Sequence, residues 1–105
     1  MYTIYALRDP ANGRDRYIGS TKQPMQQRLM AHVWEAQSYH FSQTPKRVWL
    51  RSLSDRGVLP IIAGIDEAQD RSAAMAIELW WLDWKRRQGE DLLNWDTGPY
   101  AHLAP

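Results

Sequence analysis

Residues 2–8 (YTIYALR) and 15–20 (DRYIGS) are short stretches rich in β-branched and aromatic side chains, separated by the turn-forming DPANG. Such residues favour extended backbone, where they pack well on a pleated surface. Between them Pro10 fixes φ, and Asn12-Gly13 accepts positive φ. The chain is therefore predicted to begin with a β-hairpin.

After the hairpin the period changes. Pro24 suits a first helical turn, and Met25, Leu29, Val33 and Ala36 repeat at helical spacing, predicting a helix with one buried stripe. Arg28, His32 and Glu35 form an adjacent stripe. Thr44-Pro45 reads as a cap and first residue, and Val48-Trp49, Leu53 and the terminating Gly57 predict a second helix over 45–56. The apolar run from Leu59 to Ile65, with Pro60 near its start, predicts a third strand. Asp70 or Ser72 can cap a long third helix ending near Gly89, with Lys85, Arg86 and Arg87 complementing its C-terminal dipole. A short turn or helix and a loosely held end are expected over 90–105. The order strand, strand, helix, helix, strand, helix predicts an α/β (α+β) sandwich around a three-stranded sheet.

At 105 residues the chain suits a single domain, 1–105, whose core must be packed efficiently. Six Trp and five Tyr help, because each aromatic ring buries much area. The absence of cysteine excludes disulfides and thiolate metal sites. With no long apolar run and no secretory leader pattern, a soluble cytoplasmic protein with no membrane partner is expected. The net charge is only +1, but it is unevenly spread. Residues 1–58 carry nine basic and four acidic side chains, and residues 59–105 carry four basic and eight acidic. That asymmetry is compatible with one phosphate-attracting face, and equally with an ordinary solvated surface.

Glu78 is the most informative single residue. It lies in AAMAIELWWL (73–82), where every other side chain is apolar. A helix apolar on all sides is expected to be buried, and an ionised carboxylate there is costly unless it is paired or holds a cation. Taken alone, Glu78 is explained more readily by pairing with Arg or Tyr, or by a place on a solvated edge, than by a metal. Arg28 and His32, four apart, would place a fixed cation beside a group that exchanges protons near neutral pH, or simply form a polar helix flank. Tyr5 and Tyr17 lie on the two hairpin strands and could merely pack. Asn94 could lock a chain end through its amide.

Taken together, these residues resemble the signature of the GIY-YIG nuclease superfamily. Thr3-Ile4-Tyr5 and Tyr17-Ile18-Gly19 match its paired motifs. Gly19-Ser20-Thr21, Arg28-Leu29 with His32, Trp49 and Leu53 before Gly57, Glu78 with Trp81, and Leu93-Asn94 follow in order. The resemblance spans residue 2 to about 98. It implies a compact sandwich with a three-stranded antiparallel sheet flanked by helices, acting as a metal-dependent endonuclease that hydrolyses DNA phosphodiester bonds. By the same resemblance, Glu78 holds Mg²⁺ or Mn²⁺, and Tyr17 lies near the attacking water, either as general base or through a relay with His32. Tyr5 is the other signature tyrosine, Arg28 contacts the scissile phosphate, and Asn94 supports the site. One departure is Thr3, which stands where the signature has its first glycine; this should alter local packing rather than abolish activity.

Lys22, Lys46, Arg47 and Arg51 are the expected contacts to the nucleic-acid backbone, with His40 a further candidate. Single-stranded, double-stranded and branched DNA are not distinguished. Because 105 residues leave no room for a separate DNA-binding segment, targeting is expected to come from the module itself, from dimerisation or from a partner protein. The alternative is a non-cleaving nucleic-acid-binding module of the same fold. A third reading, a protein-interaction domain using Trp80, Trp81 and Trp84, is set against the expectation that these rings lie in the core.

Overall fold

A computed structural model describes residues 1–38 and 43–94 of the chain. Three strands, β1 (Tyr2–Arg8), β2 (Asp15–Thr21) and β3 (Ile61–Ala68), form one antiparallel sheet in the order β2-β1-β3. Three helices, α1 (Met25–Ser38), α2 (Pro45–Asp55) and α3 (Arg71–Arg87), cover it.

The central strand explains the architecture. Ile4, Tyr5, Ala6 and Leu7 are all shut off from solvent, so both faces of β1 are covered. Side chains alternate along a strand. Ile4 and Ala6, with Ile18 of β2, pack against Ala74 and Leu82 of α3. Tyr5 and Leu7, with Tyr17, pack against Leu29 and Val33 of α1 and against Trp49 of α2. The sandwich is thus α3, sheet, then α1 with α2.

The β1–β2 turn closes as the sequence predicts, but only Gly13 takes a positive φ, of 72°. Asn12 instead accepts a hydrogen bond from the Arg14 amide through its side chain. At the hairpin base, buried Asp15 accepts from Arg8 Nε at 2.7 Å and meets Lys85 Nζ at 2.5 Å, tying the hairpin to the last turn of α3. Asp70 caps α3 by accepting from the Ala73 amide at 2.8 Å.

Two expectations are corrected. The third strand runs over Ile61–Ala68 rather than 59–65. As an exposed edge strand it tolerates Asp66 and Glu67, so its apolar run marks only part of it. Trp80 and Trp84 are not core residues: they are 58% and 45% exposed and stack on each other with centroids 6.0 Å apart. Over residues 73–82 α3 is apolar apart from Glu78 without being buried all round, because one face looks outward. Trp81 is half-buried and donates from Nε1 to Asp66 Oδ2 at 2.9 Å. No described helix is long and apolar enough to cross a membrane.

Candidate active site

Tyr5 stands opposite Gly19 in the β1–β2 register. Its phenol lies across the glycine so closely that a Cβ at position 19 would sit 2.5 Å from the hydroxyl oxygen and 2.7 Å from Cζ. Gly19 is therefore a matter of space rather than backbone freedom. The phenol reaches His32 of α1, with 2.6 Å between its oxygen and Nε2. Arg28, one helical turn earlier, donates from Nε to the same oxygen at 3.3 Å. Arg28 also lies 3.8 Å from Glu35 of its own helix.

Burial and charge set the protonation of this group. His32 is fully buried, and its pKa is lowered from 6.5 to about 2 by desolvation, then by the nearby charges of Lys46 and Arg28. The imidazole is neutral at physiological pH. Tyr5 is held above the ordinary phenol pKa, chiefly by burial; Arg28 opposes that rise, and the negative charges of Glu78 and Glu35 add to it. Because Arg28 already donates to the phenol oxygen, the phenol proton is free to point at Nε2. The ring proton then lies on Nδ1, which is buried without a hydrogen-bond partner among the described residues.

Tyr17 lies beside this pair, its ring edge-on to His32 at 5.4 Å between centroids. Lys46, in the first turn of α2, places its ammonium 4.8 Å over the Tyr17 ring. Lys46, one of the expected contacts to the nucleic-acid backbone, is only 5% exposed. Its stem is buried among aromatic groups, and its charge acts on Tyr17 and His32.

Glu78 approaches from the other side of the sheet, on α3. It is half-buried, and its one partner among the described residues is Ser20, whose hydroxyl lies 3.4 Å from Oε2. Desolvation raises the Glu78 pKa and Ser20 opposes the rise. A half-buried carboxylate with no cationic partner among the described residues suits a cation ligand, because a divalent ion would reverse its desolvation cost. No three acidic or histidine side chains converge among the described residues, so an ion held here would keep most of its ligands from water or substrate.

Asn94 clamps the outer edge of β2. Its Oδ1 accepts from the Ile18 amide at 2.9 Å and its Nδ2 donates to the Ile18 carbonyl at 2.6 Å. The Leu93 amide donates to the Arg16 carbonyl beside it. Asn94 thus locks the segment after α3 onto the strand bearing Tyr17 and Ser20.

The remaining basic candidates are dispersed. Lys22 is exposed just past β2, with its ammonium 5.3 Å over the Tyr2 ring. Arg51 is half-buried and donates to the Ala36 carbonyl at 3.3 Å, tying α2 to α1; Arg47 is half-buried on α2. His40 lies outside the described residues. Thr3 pairs with Thr21 and Glu67 in the sheet, with its methyl against Gly64, which is a packing role. The sequence reading missed Ser20 as the Glu78 partner and Lys46 as a site cation; the only signal for the former was its place directly after Gly19.

The family model for the GIY-YIG catalytic domain matches residues 1–91. No curated protein and no solved structure matches the chain.

Proposed function

The chain belongs to the GIY-YIG family, whose domains are generally nucleases, and on that footing we propose that it is a divalent-metal-dependent DNA endonuclease. The observation that carries the proposal is Glu78: a half-buried carboxylate, uncompensated among the described residues, next to a tyrosine, histidine and arginine already hydrogen-bonded as a unit.

Glu78 would hold Mg²⁺ or Mn²⁺. When bound, the ion supplies Lewis-acid polarisation of the phosphate and stabilises the leaving oxygen. Arg28 brings a guanidinium to the phosphate, where negative charge builds in the transition state. The raised pKa of Tyr5 disfavours a free phenolate, so Tyr5 acts best as a relay. As water attacks phosphorus, its proton passes to the Tyr5 oxygen while the Tyr5 proton passes to His32 Nε2. His32 is a weak acceptor in the free protein partly because of the charges on Lys46 and Arg28. An incoming phosphate offsets those charges and makes the imidazole more basic when it is needed. Tyr17, between His32 and Lys46, packs the relay. Lys22 and Arg47 would add salt-sensitive contacts to the DNA backbone, carrying little sequence information.

The test is cleavage of plasmid and of single-stranded, double-stranded and branched oligonucleotides, with Mg²⁺ or Mn²⁺ and with EDTA. Cutting is expected only with the metals, and Glu78→Ala should abolish it while retaining the parent circular dichroism spectrum. A folded Glu78→Ala protein that cuts as fast as the parent would overturn the assignment.

A further inference from the structure

Among the described residues, the outer edge of β2 is only partly covered. In an antiparallel strand, the N–H and C=O of one residue point to the same side, and successive residues alternate. Ile18 turns both groups away from β1, toward Asn94. Arg16, two residues earlier, faces the same way and accepts from the Leu93 amide at 2.6 Å. Ser20, two residues later, carries the next outward pair. Leu93 and Asn94 reach positions 16 and 18, and no described residue bonds the outward pair of Ser20.

Ser20 is also at the meeting point of the site. Its hydroxyl is the Glu78 partner, and its neighbour Gly19 has the Tyr5 phenol laid against it. Its outward amide is therefore a donor fixed by the sheet, on the residue whose hydroxyl meets the Glu78 carboxylate. A donor that needs no reorganisation is worth most where anionic charge develops. Hydrogen bonds to an anion are also stronger than those to neutral acceptors.

We propose that the main-chain N–H of Ser20 is a substrate-phosphate donor, bonding a non-bridging oxygen of the DNA phosphate that lies beside Glu78. The proposal rests on the nuclease reading and adds a donor that no side chain encodes. Arg28 supplies charge to the phosphate, and the Ser20 amide supplies direction. Because this N–H points away from β1, removing it costs the sheet no ladder bond.

The experiment replaces single amides by esters, which delete one N–H and keep the side chain. At Ser20 the ester protein should match the parent in urea stability and cleave DNA about a hundredfold more slowly with Mg²⁺. At Ile18 the same change should lower stability, because it strips the donor from buried Asn94 Oδ1. If the Ser20 ester cleaves at the parent rate, the proposal is overturned while the nuclease reading stands. If it loses stability as the Ile18 ester does, the amide is a structural donor and the proposal again fails. If the unmodified protein cuts no DNA, the nuclease reading fails, and amide spectra with a short duplex in EDTA decide the donor separately. A downfield shift of the Ser20 amide proton, with Ile18 unmoved, supports phosphate contact; an unmoved Ser20 resonance rejects it.

Discussion

The Tyr5 hydroxyl oxygen and His32 Nε2 are 2.6 Å apart, joining the central strand to α1 through the interior, with both residues closed to solvent. Tyr5→Phe keeps the ring and deletes the oxygen, so both nitrogens of a buried imidazole are left without a described partner. We expect a loss of about 1–3 kcal/mol in urea unfolding, the usual cost of stranding a buried polar group. The relay predicts that DNA cleavage falls far more than this stability loss accounts for. A Tyr5→Phe protein cutting at the parent rate would remove Tyr5 from the chemistry.

The depressed pKa of His32 fixes the sign of a pH dependence. An unfolded histidine takes up its proton near pH 6.5, whereas the folded one does so only at about 2. Between those values the unfolded state binds the extra proton, so stability falls as pH is lowered from 6.5. The slope should approach about 1.4 kcal/mol per pH unit for this one group. Asp15, whose pKa is lowered by Lys85 and Arg8 against its own desolvation, pulls the same way at lower pH. Glu78, raised by burial, pulls the other way. Urea midpoints from pH 4 to 7 for the parent and for His32→Asn separate these: the difference between the two curves should narrow on acidification. A constant difference would mean that His32 charges in the folded protein.

Gly19→Ala tests the fit of the phenol against β2. The added methyl would meet the Tyr5 hydroxyl at 2.5 Å and Tyr17 Cε1 at 3.1 Å, and the phenol is pinned by His32 and Arg28. Overpacking of this kind costs about 1–3 kcal/mol. In a Tyr5→Leu background the methyl meets a shorter side chain, so the two changes should couple rather than add. Strict additivity in urea unfolding would show that Tyr5 is not what position 19 accommodates.

How much of this was legible follows from which signals are local. The hairpin, the Asp70 cap and the helical stripe of Leu29 and Val33 are set by residues a few positions apart, and periodicity finds them. The amide of Asn94 was anticipated as a lock, though nothing in the sequence gave Ile18 as its partner, 76 positions away. Trp80 and Trp84 of α3 were misjudged because composition cannot tell a helix buried all round from one with an apolar outward face. The burial of Lys46 was not legible, because a lysine's place on a helix does not reveal whether its stem runs over water or over the Tyr17 ring. Arg28 and His32 were read correctly as neighbours, but only the fold brings Tyr5 to them.

Asn94 offers the sharpest separation of structure from chemistry. Its amide gives and receives one hydrogen bond at Ile18 and is 1% exposed, so neither bond can be replaced freely by water. Asn94→Ala leaves the Ile18 N–H and C=O both unsatisfied on a covered edge, and stability should drop by about 2–4 kcal/mol. Asn94→Asp keeps the acceptor for the Ile18 N–H but sets a carboxylate oxygen against the Ile18 carbonyl at the same short distance. That repulsion makes it comparably destabilising at neutral pH, with partial recovery as the carboxyl protonates on acidification. Cleavage by Asn94→Ala, measured well below its unfolding midpoint, should fall because β2 carries both Tyr17 and Ser20, and the loss should appear mainly in kcat through their displacement. An Asn94→Ala protein with parent stability would show that the clamp does not hold the edge, and the positions of Tyr17 and Ser20 would then need another support.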